Sequence, residues 1–252
     1  MRLDSLLNKI NDILPQDSGI EGDRLGLQIQ SGRDNVSNIL VTMEVDKKVI
    51  QEAIKFKCDC IITFHPLIYN PLLKIQDDDR VGYLTSTLIK NSIALISIHT
   101  TFDAFSEGTS KIFADCLGFK FEEFLIKSNL YDERGMGVIA SVSKPIGINI
   151  LLKRIHTICN SPVKYSSFKN NKKIRKIAIV GGSGSGFIND ALASGVDAFI
   201  TADISYHHYH HVNENLILID PGHYEMEQFV SNGIAKLLKK YLQNEKDLKI
   251  NV

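Results

Sequence analysis

The sequence predicts an α/β fold whose sheets are flanked by helices. Three observations lead there. Short apolar runs of strand length alternate with segments whose apolar residues recur every three and four positions. The runs are continuous rather than alternating, as in strands buried on both faces. Histidines and carboxylates recur just past the ends of those runs, where open α/β sheets bind their ligands.

The elements follow in order. Residues 3–14 form an amphipathic helix with Leu3, Leu6, Leu7, Ile10 and Leu14 on one face, ended by Pro15. A Gly-punctuated segment, 22–29, enters a short strand. Strand 38–43 precedes helix 47–56, which carries Val49, Ile50, Ala53 and Ile54 on one face. Strand 60–63 leads to Phe64-His65-Pro66, helix 81–90 to strand 92–98, and that strand to His99 and Asp103, before helix 108–117. The second half repeats the pattern: strand 136–142, helix 148–158, strand 174–180, a glycine run at 181–186, helix 187–194 and strand 198–201 before Asp203. Strand 216–220 turns at Pro221-Gly222 into a C-terminal helix whose apolar face is Met226, Phe229, Val230, Ile234, Leu237, Leu238 and Tyr241. The polar stretches 127–134 and 166–173 read as exposed loops or lobe junctions.

Composition narrows the function classes. A chain of 252 residues with 44% hydrophobic and 23% charged residues can bury a substantial core in one large domain or two lobes. Its 29 basic and 29 acidic residues cancel, so neither a nucleic-acid groove nor a membrane surface is indicated. No apolar run approaches the roughly 20 residues that span a bilayer, and the N-terminus lacks the pattern of a secretory signal. Cys58, Cys60, Cys116 and Cys159 fit neither a zinc ribbon nor a disulfide framework, which points to reduced thiols in the cytoplasm.

The chemistry concentrates at the strand ends. His223 and Glu227 are four residues apart, so one helical turn sets imidazole beside carboxylate. Such a pair can share a divalent cation. Alternatively, Glu225 and Glu227 merely complement the positive helix N-terminus beside a loop histidine. His65, His99 with Asp103, and Asp203 occupy the corresponding places after three other strands. A set of histidines and carboxylates suits zinc, manganese or iron, although Asp and His are also ordinary loop residues.

These same stretches carry a resemblance. Thr63-Phe64-His65-Pro66-Leu67-Ile68-Tyr69, His99-Thr100-Thr101-Phe102-Asp103, Gly181-Gly182-Ser183-Gly184, Thr201-Ala202-Asp203 with His207, and Gly222-His223-Tyr224-Glu225-Met226-Glu227 resemble, in order, the motifs of the NIF-three-like family. Its members are often called GTP cyclohydrolase I type 2 homologues. Gly26-Leu27-Gln28 fits as well, and the chain resembles the short form, with no inserted domain.

The resemblance implies a two-lobed subunit, with residues 1–125 as first lobe (the C-terminal helix packing on it), 126–252 as second, and a metal cleft between them. It implies a ring-shaped homohexamer and a pair of divalent ions per subunit, held by His65, Asp103, His223 and a bridging, catalytic Glu227. The implied chemistry is metal-dependent hydrolysis of a small nucleotide-like substrate. The alternative is a non-catalytic metal-binding ring or interaction scaffold; an open, water-bearing metal position would favour catalysis and a closed one a structural role.

Three positions depart from the motifs: Phe64 where a first histidine is usual, Ala202 for a glycine, and Glu44 for an aspartate. A phenyl ring donates no lone pair, so the chain is expected to hold one ion firmly and a second weakly. His99, Asp203, Ser183, His207 and His210 are expected behind the ligands or against substrate, and His208 and His211 in solvent. His156 reads as structural. The glycine run can cradle a phosphate or simply allow a tight turn; it is no P-loop, because Phe187 stands where Lys is required.

Overall fold

The computed structural model describes residues 1–169, 171–212 and 216–252, with His211 as backbone only. The expected α/β class is observed, as two compact units. The first comprises Met1–Phe102 and Val230–Val252, the second Asp103–Phe229. Among the described residues no helix is long and apolar enough to cross a membrane.

The first unit contains α1 (Leu3–Ile13), β1 (Gly26–Ile29), β2 (Asn38–Thr42), α2 (Lys47–Lys55), β3 (Cys60–Thr63), α3 (Arg80–Lys90), β4 (Ala94–Ser97), most of the one-turn helix α4 (His99–Asp103), and, from the C-terminus, α10 (Val230–Tyr241) and β11 (Lys249–Asn251). Its sheet runs β1-β4-β3-β2-β11, with only β1 antiparallel. β3 and β4 are buried at every position, as their unbroken apolar runs require. Leu40, Ile61 and Leu95 meet Ile50, Leu84 and Leu88 of α2 and α3, while α10 lies on β2. Each such aliphatic side chain contributes about 1.5–3 kcal/mol when fully buried.

The second unit contains α5 (Thr109–Leu117), β5 (Lys120–Lys127), β6 (Gly135–Gly147), α6 (Ile148–Cys159), β7 (Lys164–Tyr165), β8 (Lys173–Ile179), α7 (Ile188–Ala193), β9 (Ala198–Ile200), α8 (Tyr206–His211), β10 (Ile217–Asp220) and α9 (His223–Glu227). The strand order is β5-β6-β8-β9-β10-β7, with β8, β9 and β10 parallel. Successive residues of β8 face opposite sides. Ile177 and Ile179 join Phe113, Leu151 and Ile155 in one cluster, and Ala178 and Val180 join Ile188, Ala191 and Phe199 in another.

Several elements differ from the sequence reading. β5, β7 and β11 are strands that periodicity did not reveal. β5 lies at the sheet edge, with only Phe124 fully buried, and the other two are two and three residues long. His99–Asp103 is helical rather than a plain loop. The expected C-terminal helix is two helices, α9 and α10, interrupted at Gln228 and Phe229. Asn170, within the stretch read as a loop, lies outside the described residues.

The two units share one device at the entry to their parallel strands. Asp59 precedes β3, and its Oδ2 accepts from Ser37 N (2.7 Å), Ser37 Oγ (2.7 Å) and Asn38 N (3.0 Å) at the head of β2. Asp197 precedes β9 and accepts from Arg175 N (2.8 Å) and Lys176 N (3.1 Å) at the head of β8. Each carboxylate thereby locks the register of a neighbouring strand. Burial works to raise the Asp59 carboxyl, but these bonds outweigh it and hold the group below its usual 3.8. A lowered carboxyl stabilises above its unfolded value and stops doing so as pH falls through the folded one. Asp59→Asn should therefore cost about 1–3 kcal/mol at pH 7. In urea melts, the gap to wild type should close as pH drops below 3.8.

Candidate metal and substrate site

In the first unit, ladder register decides which polar residues become neighbours. Thr42 pairs with Thr63, and Thr63 with Ser97. Two residues beyond that row come Glu44, His65 and His99. Thr63 Oγ1 shares its proton between Met43 O (3.2 Å) and His65 O (2.9 Å), stitching the turns together. His65 Nδ1 lies 3.5 Å from Glu44 Oε1. Its ring meets that of His99 edge-on at 5.3 Å.

His99 is held from behind. Its Nδ1 is 2.9 Å from Asp23 Oδ2, which also accepts from Thr100 Oγ1 at 2.5 Å. The Asp23 side chain is only 5% exposed. Burial pushes its carboxyl up, yet the bonds from His99 and Thr100 prevail and hold it far below the usual carboxylate range. Asp23 was not singled out from sequence; Gly22-Asp23-Arg24 read only as the approach to a strand. Phe64 is fully buried, with its ring 5.4 Å from His99 and 6.4 Å from Phe102.

In the second unit, β8, β9 and β10 end together, with Ile179, Ile200 and Ile219 side by side. The chain past β8 must turn sharply. Thr201 Oγ1 donates to Gly182 O (2.8 Å) and accepts from Gly184 N (2.8 Å), and Ala202 N also donates to Gly182 O (2.8 Å). These bonds favour the tight-turn reading of the glycine run.

The turn delivers Ser183 to Asp203. Ser183 Oγ donates to Asp203 Oδ2, and the same oxygen lies 2.7 Å from His223 Nδ1. His223 Nε2 then faces Glu227 Oε2 at 3.1 Å, so the one-turn spacing does set imidazole beside carboxylate. Glu227 is 2% exposed. Its hydrogen bond, aided by Asp203 and opposed by burial, pushes the His223 imidazole up to about 9. Bonds from Ser183 and His223 hold the Asp203 carboxyl below its ordinary value. A single positive charge thus sits between two carboxylates, a place a proton or a metal cation can fill.

Gly182 closes the pocket from the backbone side. Its φ is +62°, and a Cβ there would lie 2.5 Å from Glu227 Oε1 and 3.1 Å from His223 Nε2. Asp103 is beside the same turn: a Cβ on Gly181 would be 3.7 Å from its Oδ1. Within the second unit, Asp103, His223 and Glu227 offer the imidazole and carboxylate donors that zinc, manganese or iron take, and the Gly182 cradle leaves the His223–Glu227 donors uncovered by any side chain at that position.

On α8, Tyr206 is 72% exposed, with the rings of His210 at 4.7 Å and His207 at 5.4 Å. His208 is half-buried, its Nδ1 3.0 Å from Ser205 Oγ. The side chain of His211 lies outside the described residues. His156 is exposed and bonds the chain just past its own helix, Nδ1 to Ser161 O at 2.8 Å.

Comparison with known proteins extends these findings. A family model described as Duf34/NIF3 (NGG1p interacting factor 3) matches residues 1–252. A Clostridium perfringens protein named GTP cyclohydrolase 1 type 2 homolog is 30% identical over 97% of this chain and 94% of its own. A Clostridium acetobutylicum protein of the same name is 31% identical over 90% and 85%. Among solved structures, the Staphylococcus aureus hypothetical protein SA1388 superposes with a TM-score of 0.91 at 25% identity, covering 100% of this chain and 95% of that one. Reduced HcgD from Methanocaldococcus jannaschii shares the fold, with a TM-score of 0.76 at 24% identity over 100% and 97% of the two chains.

The crowding at Gly182 yields a test. Gly182→Ala should cost at least about 1 kcal/mol from the left-handed backbone alone, and should also force Glu227 away from His223. Thermal melting would register the first effect. An NMR titration of His223 in chelator-treated protein would register the second, as a midpoint falling from about 9 toward 6.5.

Proposed function

Because the chain belongs to the Duf34/NIF3 family along its whole length, we propose that it is a divalent-metal-dependent hydrolase acting on a small, nucleotide-like substrate. The observation that carries this reading is the His223–Glu227 pair, 3.1 Å apart against the bare backbone of Gly182. The name shared by the Clostridium relatives, GTP cyclohydrolase 1 type 2 homolog, supports a purine nucleotide as the substrate class.

In this reading His65, Asp103, His223 and Glu227 hold the metal, which when bound lowers the pKa of water and offsets negative charge developing on the substrate. The protein groups have separable tasks. Asp203 takes the Nδ1 side of His223 and so commits Nε2 to the site. Ser183 holds Asp203 in turn. Glu227, buried and acceptor-only, is the catalytic carboxylate. Asp23 and Thr100 fix His99 beside His65. His207 and His210, with Tyr206, offer exposed rings to a substrate.

Phe64 limits the metal content. It is buried and has no donor atom, so one ion is held firmly and a second only weakly. The subunits assemble as a homo-oligomer, a hexameric ring by family likeness, in the cytoplasm. The free thiols of Cys58, Cys60, Cys116 and Cys159 agree with a reducing compartment.

Two experiments test this reading. Glu227→Gln should abolish hydrolysis in a screen of nucleotides and phosphoesters while circular dichroism stays unchanged; activity that survives would favour a metal-binding scaffold. Elemental analysis after long dialysis should find about one ion per wild-type chain, and more in Phe64→His. Two firmly held ions in both proteins would refute the limiting role of Phe64.

A further inference from the structure

Two surface features lie in different parts of the chain. One is a groove in the second unit, about 730 Å³ in volume, between the end of α5 and the outer face of α6. Ile150 and Ile158 supply its accessible apolar lining over the buried Leu117, and Ile150 is 52% exposed. Lys153 and Arg154 border it, as does Asp115, whose charge is met by Lys111 Nζ at 2.6 Å, so the rim carries a net positive charge. Arg154 Nη1 donates to Leu117 O at 3.1 Å, whereas Lys153 is exposed and has no ion-pair partner among the described residues.

The other is residues 66–79 of the first unit, a loop without helix or strand. Leu73 is 99% exposed, flanked by Tyr69 at 61% and Ile75 at 52%. Clustered apolar exposure of this kind marks an interaction surface. Asp77, Asp78 and Asp79 follow. Asp79 caps α3 by accepting from Gly82 N (2.7 Å), and Asp77 accepts from Ser86 Oγ (3.3 Å). Asp78 has no partner among the described residues.

A groove pairing with its own copy would bring two sets of Lys153 and Arg154 together, with each Asp115 already engaged by its own Lys111, and facing like charges are costly. Its partner must instead offer an apolar tip with an acidic flank, and the 69–79 loop has both. We infer that this loop of one copy seats in the α5–α6 groove of another, with Leu73 against Ile150 and Ile158, and Asp78 facing Lys153. Loop and groove are different surfaces, so the contact is heterologous and repeats until a ring closes. The inference rests on the self-association proposed above and names its surfaces.

The test is light scattering on the full chain at micromolar concentration, with circular dichroism to confirm folding. Leu73→Ser, Lys153→Glu and Asp78→Lys should each weaken assembly at least tenfold, and the Lys153→Glu/Asp78→Lys double variant should regain it. Wild-type monomer would overturn both this contact and self-association. An assembly indifferent to all three single changes would overturn the contact and leave self-association standing. Single variants that dissociate without recovery in the double variant would overturn the pairing of Asp78 with Lys153.

Discussion

The in-register parallel ladder is the constraint on which the rest depends. Strands that start level also end level, so the residues leaving them emerge side by side. Asp59 and Asp197 set the start by holding the backbone N–H groups of the neighbouring strand. The far ends then follow: Thr42, Thr63 and Ser97 in one unit, Ile179, Ile200 and Ile219 in the other. The two entry segments also read alike, Asp59-Cys60-Ile61-Ile62-Thr63 beside Asp197-Ala198-Phe199-Ile200-Thr201. Both threonines serve their turns, through Met43 O in one unit and Gly182 O in the other. One structural device thus appears twice, and each copy presents different chemistry.

The presented histidines are held by hydrogen bonds to buried carboxylates, Asp23 and Glu227. In the first unit Asp23 is nearly sealed from solvent and grips His99. In the second, His223 is bracketed by Asp203 and Glu227. In each, desolvation of a charge is offset by a charge-assisted hydrogen bond, which in a low-dielectric setting is strong and directional. The glycine at 182 belongs to the same economy of space. It allows the left-handed turn and keeps a methyl group out of contact with Glu227.

Much of the fold was legible from periodicity. The strands that become β2, β3, β4, β9 and β10, and the second half of β8, are apolar runs because both faces are covered, and such runs stand out in a sequence. β5 did not, because an edge strand with one buried side chain carries little hydrophobic signal. β7 and β11 are too short to show a period and exist only through pairing with β10 and β2. The break between α9 and α10 was hidden because the apolar spacing runs on across Gln228 and Phe229.

The sequence by itself determined the α/β class, the family resemblance, and the His223–Glu227 neighbourhood, because helical spacing and strand-end position are local properties. Tertiary structure alone decided the rest. The Asp23–His99 pair joins residues 76 positions apart, and Asp203 meets His223 across 20. No local pattern encodes which loop meets which; strand register does, and register is settled only when whole faces of the sheet are buried together.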